Sequence, residues 1–325
     1  MPRGYVCSYT SVPPALDGRL DKGAWRDAPW TEDFADIEGD ARPKPRYRTR
    51  AKMLWDSDYF YIAAELEEPH VWATLTEHDS VIFQDPDFEV FLDPDGDNHN
   101  YYEIEVNALG TLWDLRLVKP YRNGGPALNS WHVPGLKVAV RVDGTLNDPS
   151  DTDGGWAVML ALPWPALAEF AGCQTPPADG DQWRVNFSRV EWDVTTESGA
   201  YRKVLDTPEH NWVWSPQGVV DMHRPEHWGY VQFSRQPPGT AAFHPDPSAP
   251  ARDLLMDVYH AQQEYRAAHG QWAAAVADLR PLLLSPLAAS LQMQATAEDF
   301  TATVVYQAEN TASTPLHVRA DSRLW

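Results

Sequence analysis

The chain has 325 residues, 43% of them hydrophobic, a formal net charge of −21 and a sequence pI near 4.8. This acidity argues against nucleic-acid phosphates and anionic lipid surfaces as partners and suits neutral or cationic ligands, Ca²⁺ among them. No run approaches the roughly 20 apolar residues that a transmembrane helix requires, so we expect no membrane partner.

The N-terminus and the cysteines bear on the cellular compartment. The first seven residues lack the apolar run of a secretory signal. We expect a cytoplasmic protein, or a periplasmic or secreted one if a signal peptide has been removed. Cys7 and Cys173 lie far apart, and we interpret them as two unrelated thiols.

Residues 1–236 show the pattern of an all-β region. Short alternating runs are separated by turn-like segments such as 93–97 and 151–155. The predicted strands are 51–55, 59–66, 88–93, 102–107, 112–118, 136–142, 156–162, 183–190 and 229–233. Only 163–171, which opens with proline, favours a short helix. Many strands with one polar face predict an antiparallel β-sandwich.

The C-terminal quarter differs in composition. Residues 237–250 are rich in proline and predict a linker. Residues 252–268 have helical spacing, and Gly270 is expected to end that helix. A second helix is predicted at 273–279, and strands at 300–306 and 316–319. The fold prediction is therefore a mostly β protein whose residues 251–325 form a small α+β appendage of unknown role.

Tryptophan is the most informative residue type. The chain has 15, and the densest group lies in 211–218, with 223–228 following. These indoles adjoin amides, carboxylates and arginines. A sugar site needs this mixture, because a pyranose stacks on an aromatic ring while its hydroxyls require polar partners. The alternative is that the rings are ordinary sandwich core.

Alternation along the strands assigns residues to faces. Phe88, Val90 and Leu92 are expected to point to the core, so Glu89 points away. By the same alternation Ile104 and Val106, then Val185 and Phe187, point inward. The opposite face carries Glu103, Glu105, Asn107, Arg184 and Asn186. The alternative is an ordinary solvated outer face.

The chain resembles the family 9 carbohydrate-binding modules, part of the wider DOMON-like group of β-sandwiches. The resemblance rests on an ordered set of segments: 13–25, 53–62, 87–93, 155–164, 183–187 and 228–233. It covers about residues 10–234 and implies a sandwich that binds sugar and often carries structural calcium.

The resemblance also implies a sugar site with two clamping aromatic rings, a carboxylate and an arginine. Glu89 occupies the carboxylate position, and Phe83 lies near the first clamp position. The arginine position holds Glu105, and the second clamp position falls near Met222 or His223, with Trp212 and Trp214 upstream. The predicted sugar-binding residues are Phe83, Glu89, Glu105, Asn107, Arg184, Asn211, Trp212 and Trp214.

Calcium is a separate prediction. The segment 93–98 places Asp93, Asp95 and Asp97 at alternate positions, as Ca²⁺-binding loops do. The position that holds glutamate in an EF-hand is Ile104, so the segment is not an EF-hand. The alternative is a hairpin turn without metal.

Two other functions stay open. Glu103 and Glu105 share a face, and with Glu89 and Glu191 they could supply the two carboxyl groups of a glycoside-cleaving enzyme. The alternative is that these acids pair with arginines or hold calcium. Some DOMON-like proteins bind haem, but Met222 and His223 are adjacent and poorly suited to opposite sides of one iron. The prediction is a carbohydrate-binding protein, with glycoside cleavage as its alternative.

Overall fold

The computed structural model describes residues 2–196, 199–284, 290–307 and 313–325. The chain forms two compact units. The sandwich unit comprises the residues up to Asp95, Asn100–Val118 and Pro126–Phe243. The C-terminal unit comprises Gly96–His99, Lys119–Gly125 and His244–Trp325. Among the described helices, none has both the length and the apolar composition that crossing a bilayer requires.

The sandwich unit is built mainly from strands. They are β1 (Gly4–Tyr9), β2 (Ala35–Asp36), β3 (Thr49–Trp55), β4 (Tyr59–Leu66), β5 (Asp87–Asp93), β6 (Tyr101–Asn107), β7 (Leu112–Leu117), β8 (Ala127–Leu128), β9 (Lys137–Asp143), β10 (Gly155–Pro163), β11 (Gln182–Glu191), β12 (Val194–Thr195), β13 (Arg202–Lys203), β14 (His210–Val213) and β15 (Gly229–Ser234). Its short helices are α1 (Gly23–Asp27) and α2 (Trp164–Ala168), with 3-10 turns at Gly39–Ala41, Ile82–Gln84 and Pro225–His227.

One continuous sheet supplies both layers of the sandwich. Its strand order is β8-β7-β6-β5-β11-β15-β1-β3-β4-β10-β9, and β14 pairs with β11 and β2. The neighbours are antiparallel except for β1, which runs parallel to β15 and β3. We call β8, β7, β6, β5 and β11 the front layer, and β3, β4, β10 and β9 the back layer. The sheet curls so that the inner faces of the two layers meet.

The core lies between these inner faces and is rich in aromatic rings. Phe60 of the back layer contacts Trp183 of the front layer with ring centroids 6.3 Å apart, and Trp164 stacks on Phe60 at 5.9 Å. The residues predicted to face inward from the front layer do so: Phe88, Val90, Leu92, Ile104, Val106, Val185 and Phe187. The prediction of a mostly β sandwich is confirmed.

The C-terminal unit packs one long helix on a small antiparallel sheet. Its elements are α3 (Ala249–His269), α4 (Val276–Leu279), β16 (Gln292–Ala295), β17 (Phe300–Tyr306) and β18 (Thr314–Arg319), preceded by a 3-10 turn at Tyr121–Asn123. The helix ends as predicted at Gly270, whose φ of 73° is left-handed and whose N–H donates to the Arg266 carbonyl at 2.8 Å. Leu255, Tyr259 and Phe300 lie in its core.

Candidate functional site

The outer side of the front layer carries a row of polar and aromatic side chains. Strand register places Ser188 of β11 opposite Glu89 of β5, Glu89 opposite Glu105 of β6, and Glu105 opposite Trp113 of β7. These four side chains therefore lie next to one another across four strands on the face that points away from the core. This row is the centre of the candidate site.

Two further acids extend the row into what we call the carboxylate face: Asp87, Glu89, Glu103 and Glu105. All four side chains are buried, and Glu89 is the most accessible at 6% exposure. Carboxylate oxygens of Asp87, Glu89 and Glu105 lie within 4.8 Å of one another, so these three could share a cation or protons. Among the described residues, no lysine or arginine forms an ion pair with any of the four.

Burial without a cationic partner controls the protonation of these acids. Burial raises the pKa of Glu89 to about 7. Burial and then the charge of Glu89 hold the pKa values of Asp87, Glu103 and Glu105 well above those of ordinary carboxyl groups. The face therefore retains protons at a pH at which exposed acids are ionised. Such displaced pKa values are common at binding and catalytic sites.

An aromatic group borders the carboxylate face. The backbone N–H of Phe83 donates to Glu105 Oε2 at 3.0 Å, which holds the partly exposed Phe83 beside the acids. The carbonyl of Phe83 accepts a hydrogen bond from the Trp192 indole at 3.0 Å, and Lys203 Nζ lies 3.4 Å from the Trp192 ring centroid. Trp72 packs in the same apolar cluster.

Trp113 is a site residue that the sequence analysis missed. Its ring is partly exposed and lies directly across from Glu105. Among the described residues its buried indole N–H has no hydrogen-bond acceptor. The alternation in 112–117, which sets Trp113 and Leu115 on one side, was the available signal, but only the register between β6 and β7 brings the ring to Glu105.

Two predicted sugar-binding side chains have structural partners. Asn107 is fully buried, donates to the Leu75 carbonyl and Asp85, and accepts from the amides of Leu109 and Thr111. Arg184 donates to the carbonyls of Pro225 and Glu226 at 3.0 and 2.6 Å, and its guanidinium covers the Tyr230 ring at 4.0 Å. These contacts fix the β6–β7 turn and the 225–227 turn.

The two tryptophans predicted to stack on a sugar lie on the inner side instead. Trp214 has no exposed surface and packs on Phe187 at a centroid distance of 5.8 Å. Trp212 is opposite Arg189, is 3% exposed and contacts Tyr47 edge-on at 6.2 Å. No sugar can stack on a ring without exposed surface, so Trp214 is a core residue in this structure. The polar neighbours that suggested a binding site face the other way.

Asn211 and Trp212 do line a second opening at the edge of the sheet. This cavity has a volume of about 460 Å³. Its other polar lining residues include Arg42, Arg46, Glu209 and His210. Arg46 forms a hydrogen-bonded ion pair with Asp193 at 2.5 Å, so part of its charge is already compensated.

Glu191 lies apart from the other candidate acids. Its Oε2 is 2.7 Å from Arg189 Nη2, and the same nitrogen is 2.5 Å from Glu68 Oε2. Burial and the nearby Glu191 raise the pKa of Glu68 to about 9. Because Glu191 alternates to the inner side of β11, it cannot act together with Glu89, Glu103 or Glu105.

The aspartates predicted to bind calcium fall in different units. Asp93 and Asp95 belong to the sandwich unit, and Asp97 belongs to the C-terminal unit. Asp97 accepts hydrogen bonds from the His99 amide at 2.7 Å and from Arg323 Nε at 3.0 Å. Both of its oxygens are engaged, one of them with a cation, which is a poor fit to a calcium ligand. Calcium binding stays a prediction.

The haem alternative gains no support. His223 Nδ1 lies 3.1 Å from the Tyr101 hydroxyl, and Met222 packs against the apolar cluster around Trp228.

The outer side of the back layer offers a contrasting surface, which we call the basic cleft. It encloses about 880 Å³. It is lined by Arg19, Arg26, Arg48, Arg50, Lys52 and Arg141 together with Asp21, Glu65, Glu67 and Asp143. Arg48 and Arg50 both reach Glu65 Oε1, at 3.2 and 3.4 Å. Lys52 donates to the Trp25 carbonyl at 2.7 Å.

Comparison with one solved structure supports the sandwich architecture. A candidate carbohydrate-binding protein from Bacteroides uniformis has 17% identity and a TM-score of 0.52, covering 72% of this chain and 100% of that one. Two structures of a family 9 carbohydrate-binding module from Caldicellulosiruptor kristjanssonii, in complex with cellotriose and with glucose, have TM-scores of 0.47, identities of 14% and 16%, and cover 75% of this chain and all of theirs. No curated protein matches the chain in sequence.

The sequence itself matches a family model, described as carbohydrate family 9 binding domain-like, over residues 16–212. This range takes in most strands of the sandwich unit, including all of β5, β6 and β7. Since the match covers more than half of the 325 residues, the chain belongs to the carbohydrate family 9 binding domain-like family.

Proposed function

We propose that this protein binds a glycan on the outer side of the front layer, over the row formed by Glu89, Glu105 and Trp113. Membership of a carbohydrate-binding family supports the ligand class. A family 9 carbohydrate-binding module was solved with glucose and with cellotriose bound. The family match gives no support to the glycoside-cleaving alternative, which we do not carry further.

The observation that carries this proposal is the cross-strand pair of Glu89 and Glu105. Like charges directly opposite each other on neighbouring strands destabilise a sheet, and buried carboxylates without a cation cost more still. A sequence that served only stability would place apolar or oppositely charged residues there. Sugar hydroxyls can compensate such acids, because a carboxyl group accepts hydrogen bonds from hydroxyl groups when it is ionised and also donates one when it is protonated.

The aromatic residues supply the apolar half of the interaction. The backbone amide of Phe83, in the loop before β5, binds Glu105, and Trp113 of β7 lies opposite Glu105. Both residues are partly exposed. Each can cover one apolar face of a pyranose ring. Phe83, Glu89 and Glu105 thus keep the roles predicted from the sequence, and Trp113 takes the second aromatic position.

Isothermal titration calorimetry tests the proposal. Glucose, cello-, xylo- and malto-oligosaccharides are titrated into the wild type, Glu89→Gln and Trp113→Leu. Each substitution is expected to weaken binding by about 1.5–3 kcal/mol, which is roughly a tenfold to hundredfold rise in Kd. Glu169→Gln, a change at an exposed glutamate, is the matched control and is expected to bind as the wild type does.

Two results would count against this site. If no glycan in the panel binds the wild type, the ligand class is wrong. If a glycan binds with the same affinity to Glu89→Gln and Trp113→Leu, the binding surface is elsewhere, and the cavity beside Asn211 and Trp212 becomes the next surface to mutate.

A further inference from the structure

Two histidines and two aspartates from three chain segments converge at one edge of the front layer. Asp114 comes from β7, His78 and Asp79 from the loop before β5, and His132 from the segment after β8. One potential ligand atom from each of the four lies within 4.8 Å of the others. A backbone hydrogen bond from Asp79 N to the Leu112 carbonyl, 2.9 Å long, fixes the loop against β7.

Asp114 is the unusual member of this group. It lies opposite Ile104, on the side of β7 that faces the core, and is only 2% exposed. Its Oδ2 accepts the Val133 amide at 2.5 Å. Among the described residues, Oδ1 receives no hydrogen bond of proper geometry, and it is directed at the two imidazoles. A carboxylate at a buried position needs a compensating cation.

The distances match those between the ligands of one metal ion. Asp114 Oδ1 lies 3.1 Å from His78 Nε2 and 3.5 Å from His132 Nδ1. Ligands of tetrahedral Zn²⁺, each at about 2.0–2.1 Å from the ion, are about 3.3 Å apart. Both imidazoles are about half exposed, at 49% and 52%, which leaves a fourth position open to water.

The fourth residue, Asp79, has the position of an orienting partner. Its Oδ1 lies 3.1 Å from His78 Nδ1. A hydrogen bond there places the imidazole proton on Nδ1 and leaves the Nε2 lone pair facing Asp114. Carboxylates hold the imidazole ligands of many metal sites in this manner.

We propose that His78, His132 and Asp114 bind one divalent transition-metal ion of the Zn²⁺ class, with Asp79 orienting His78. Two imidazole nitrogens and one carboxylate oxygen suit Zn²⁺, Co²⁺ or Ni²⁺, whereas Ca²⁺ and Mg²⁺ take oxygen ligands. The ion would join the loop 67–86, strand β7 and the segment 129–136. The inference does not depend on glycan binding.

The test uses the full chain without an affinity tag, stripped of metal with EDTA and titrated with ZnCl₂ in a calorimeter. One Zn²⁺ per chain is expected to bind, and His78→Gln and His132→Gln are expected to abolish that event. Both histidines are half exposed, so these variants should fold, unlike a change at buried Asp114. Asp79→Asn, which keeps the size of the side chain, is expected to weaken binding by about 10- to 100-fold.

The control is His269→Gln, which removes a histidine outside the cluster, at the end of α3. It should leave Zn²⁺ affinity unchanged, and Ca²⁺ and Mg²⁺ should give no comparable heat. Absence of a one-to-one Zn²⁺ event in the wild type would overturn the proposal, as would equal affinity in the two histidine variants. If circular dichroism shows that either variant is unfolded, Co²⁺ is titrated into the wild type instead. Its visible spectrum reports the nitrogen ligands directly.

Discussion

The outer sides of the two layers both carry ionisable side chains, but these side chains are compensated in opposite ways. In the basic cleft of the back layer, Arg48 and Arg50 meet Glu65, and Lys52 is held by backbone carbonyls and lies 4.4 Å from the centre of the Trp30 ring. On the carboxylate face of the front layer, Glu89 and Glu105 face each other, and no lysine or arginine among the described residues forms an ion pair with either. Ionisable groups that are paired within the protein serve the structure. Buried acids without such a partner are typical of sites at which a ligand supplies the missing hydrogen bonds or charge.

The largest expected effect is a dependence of folding stability on the protonation of Glu89. Its pKa rises from about 4.3 in the unfolded chain to about 7 in the folded protein. Because the folded pKa is the higher one, the stabilisation is complete below pH 4.3 and is lost as the pH rises through 7. The total is about 3.7 kcal/mol, of which about 2 kcal/mol disappears between pH 5.5 and pH 8.

Urea unfolding of the wild type and Glu89→Gln at these two pH values measures this loss. Other groups titrate as well, so the quantity to compare is the difference between the two proteins. We expect Glu89→Gln to gain about 2 kcal/mol relative to the wild type on going from pH 5.5 to pH 8. A difference that does not change with pH would show that Glu89 is compensated after all.

The second prediction concerns a compensated charge of the basic cleft. Lys52 is 3% exposed and donates to the carbonyls of Trp25 and Leu20, at 2.7 and 3.4 Å. Lys52→Met keeps the length of the side chain but leaves both carbonyls without this donor. We expect a loss of about 1.5 kcal/mol in the free energy of unfolding, measured in urea at pH 7.

The matched control for Lys52→Met is Arg19→Met, which removes an exposed cation from the lining of the same cleft. Its stability should stay within about 0.5 kcal/mol of the wild type. If Lys52→Met is neutral or stabilising, the hydrogen bonds of Lys52 do not compensate its burial. The proposed difference between the back layer and the front layer would then be wrong.

The sequence alone predicted correctly to which side of a strand the side chains of β5 point. Phe88, Val90 and Leu92 face the core and Glu89 faces away, because side chains on a strand point to opposite sides in turn. The same argument, applied to β14, would have set Trp212 apart from Asn211. The interpretation instead followed the polar neighbours of Trp212 and Trp214, and neighbours along a strand belong to the opposite face.

What the sequence could not supply is the register between strands and the path of the loops. Trp113 lies beside Glu105 because of the pairing between β6 and β7, and Phe83 is held there by a loop amide. Likewise, His78, Asp114 and His132 come from segments that no local pattern connects. The parallel pairing of β1 with β15 joins residues more than 200 positions apart, and nothing in the N-terminal segment indicates its partner.

The smallest expected effect concerns calcium, and it tests the same contrast at the end of β5 and in the segment that follows it. The pattern Asp93, Asp95, Asp97 predicts a Ca²⁺ loop, yet Asp97 is compensated by Arg323. If compensated acids are structural, then Ca²⁺ and Mg²⁺ should raise the Tm of EDTA-treated protein equally, through general screening of the −21 charge. A specific site would instead stabilise the folded state by mass action and make the rise larger in Ca²⁺ than in Mg²⁺.

Thermal unfolding with each ion at the same ionic strength, in the wild type and in Asp95→Asn, separates these outcomes. A Ca²⁺-specific rise that Asp95→Asn removes would establish the calcium site and show that an ion pair with arginine does not exclude an acid from binding a metal.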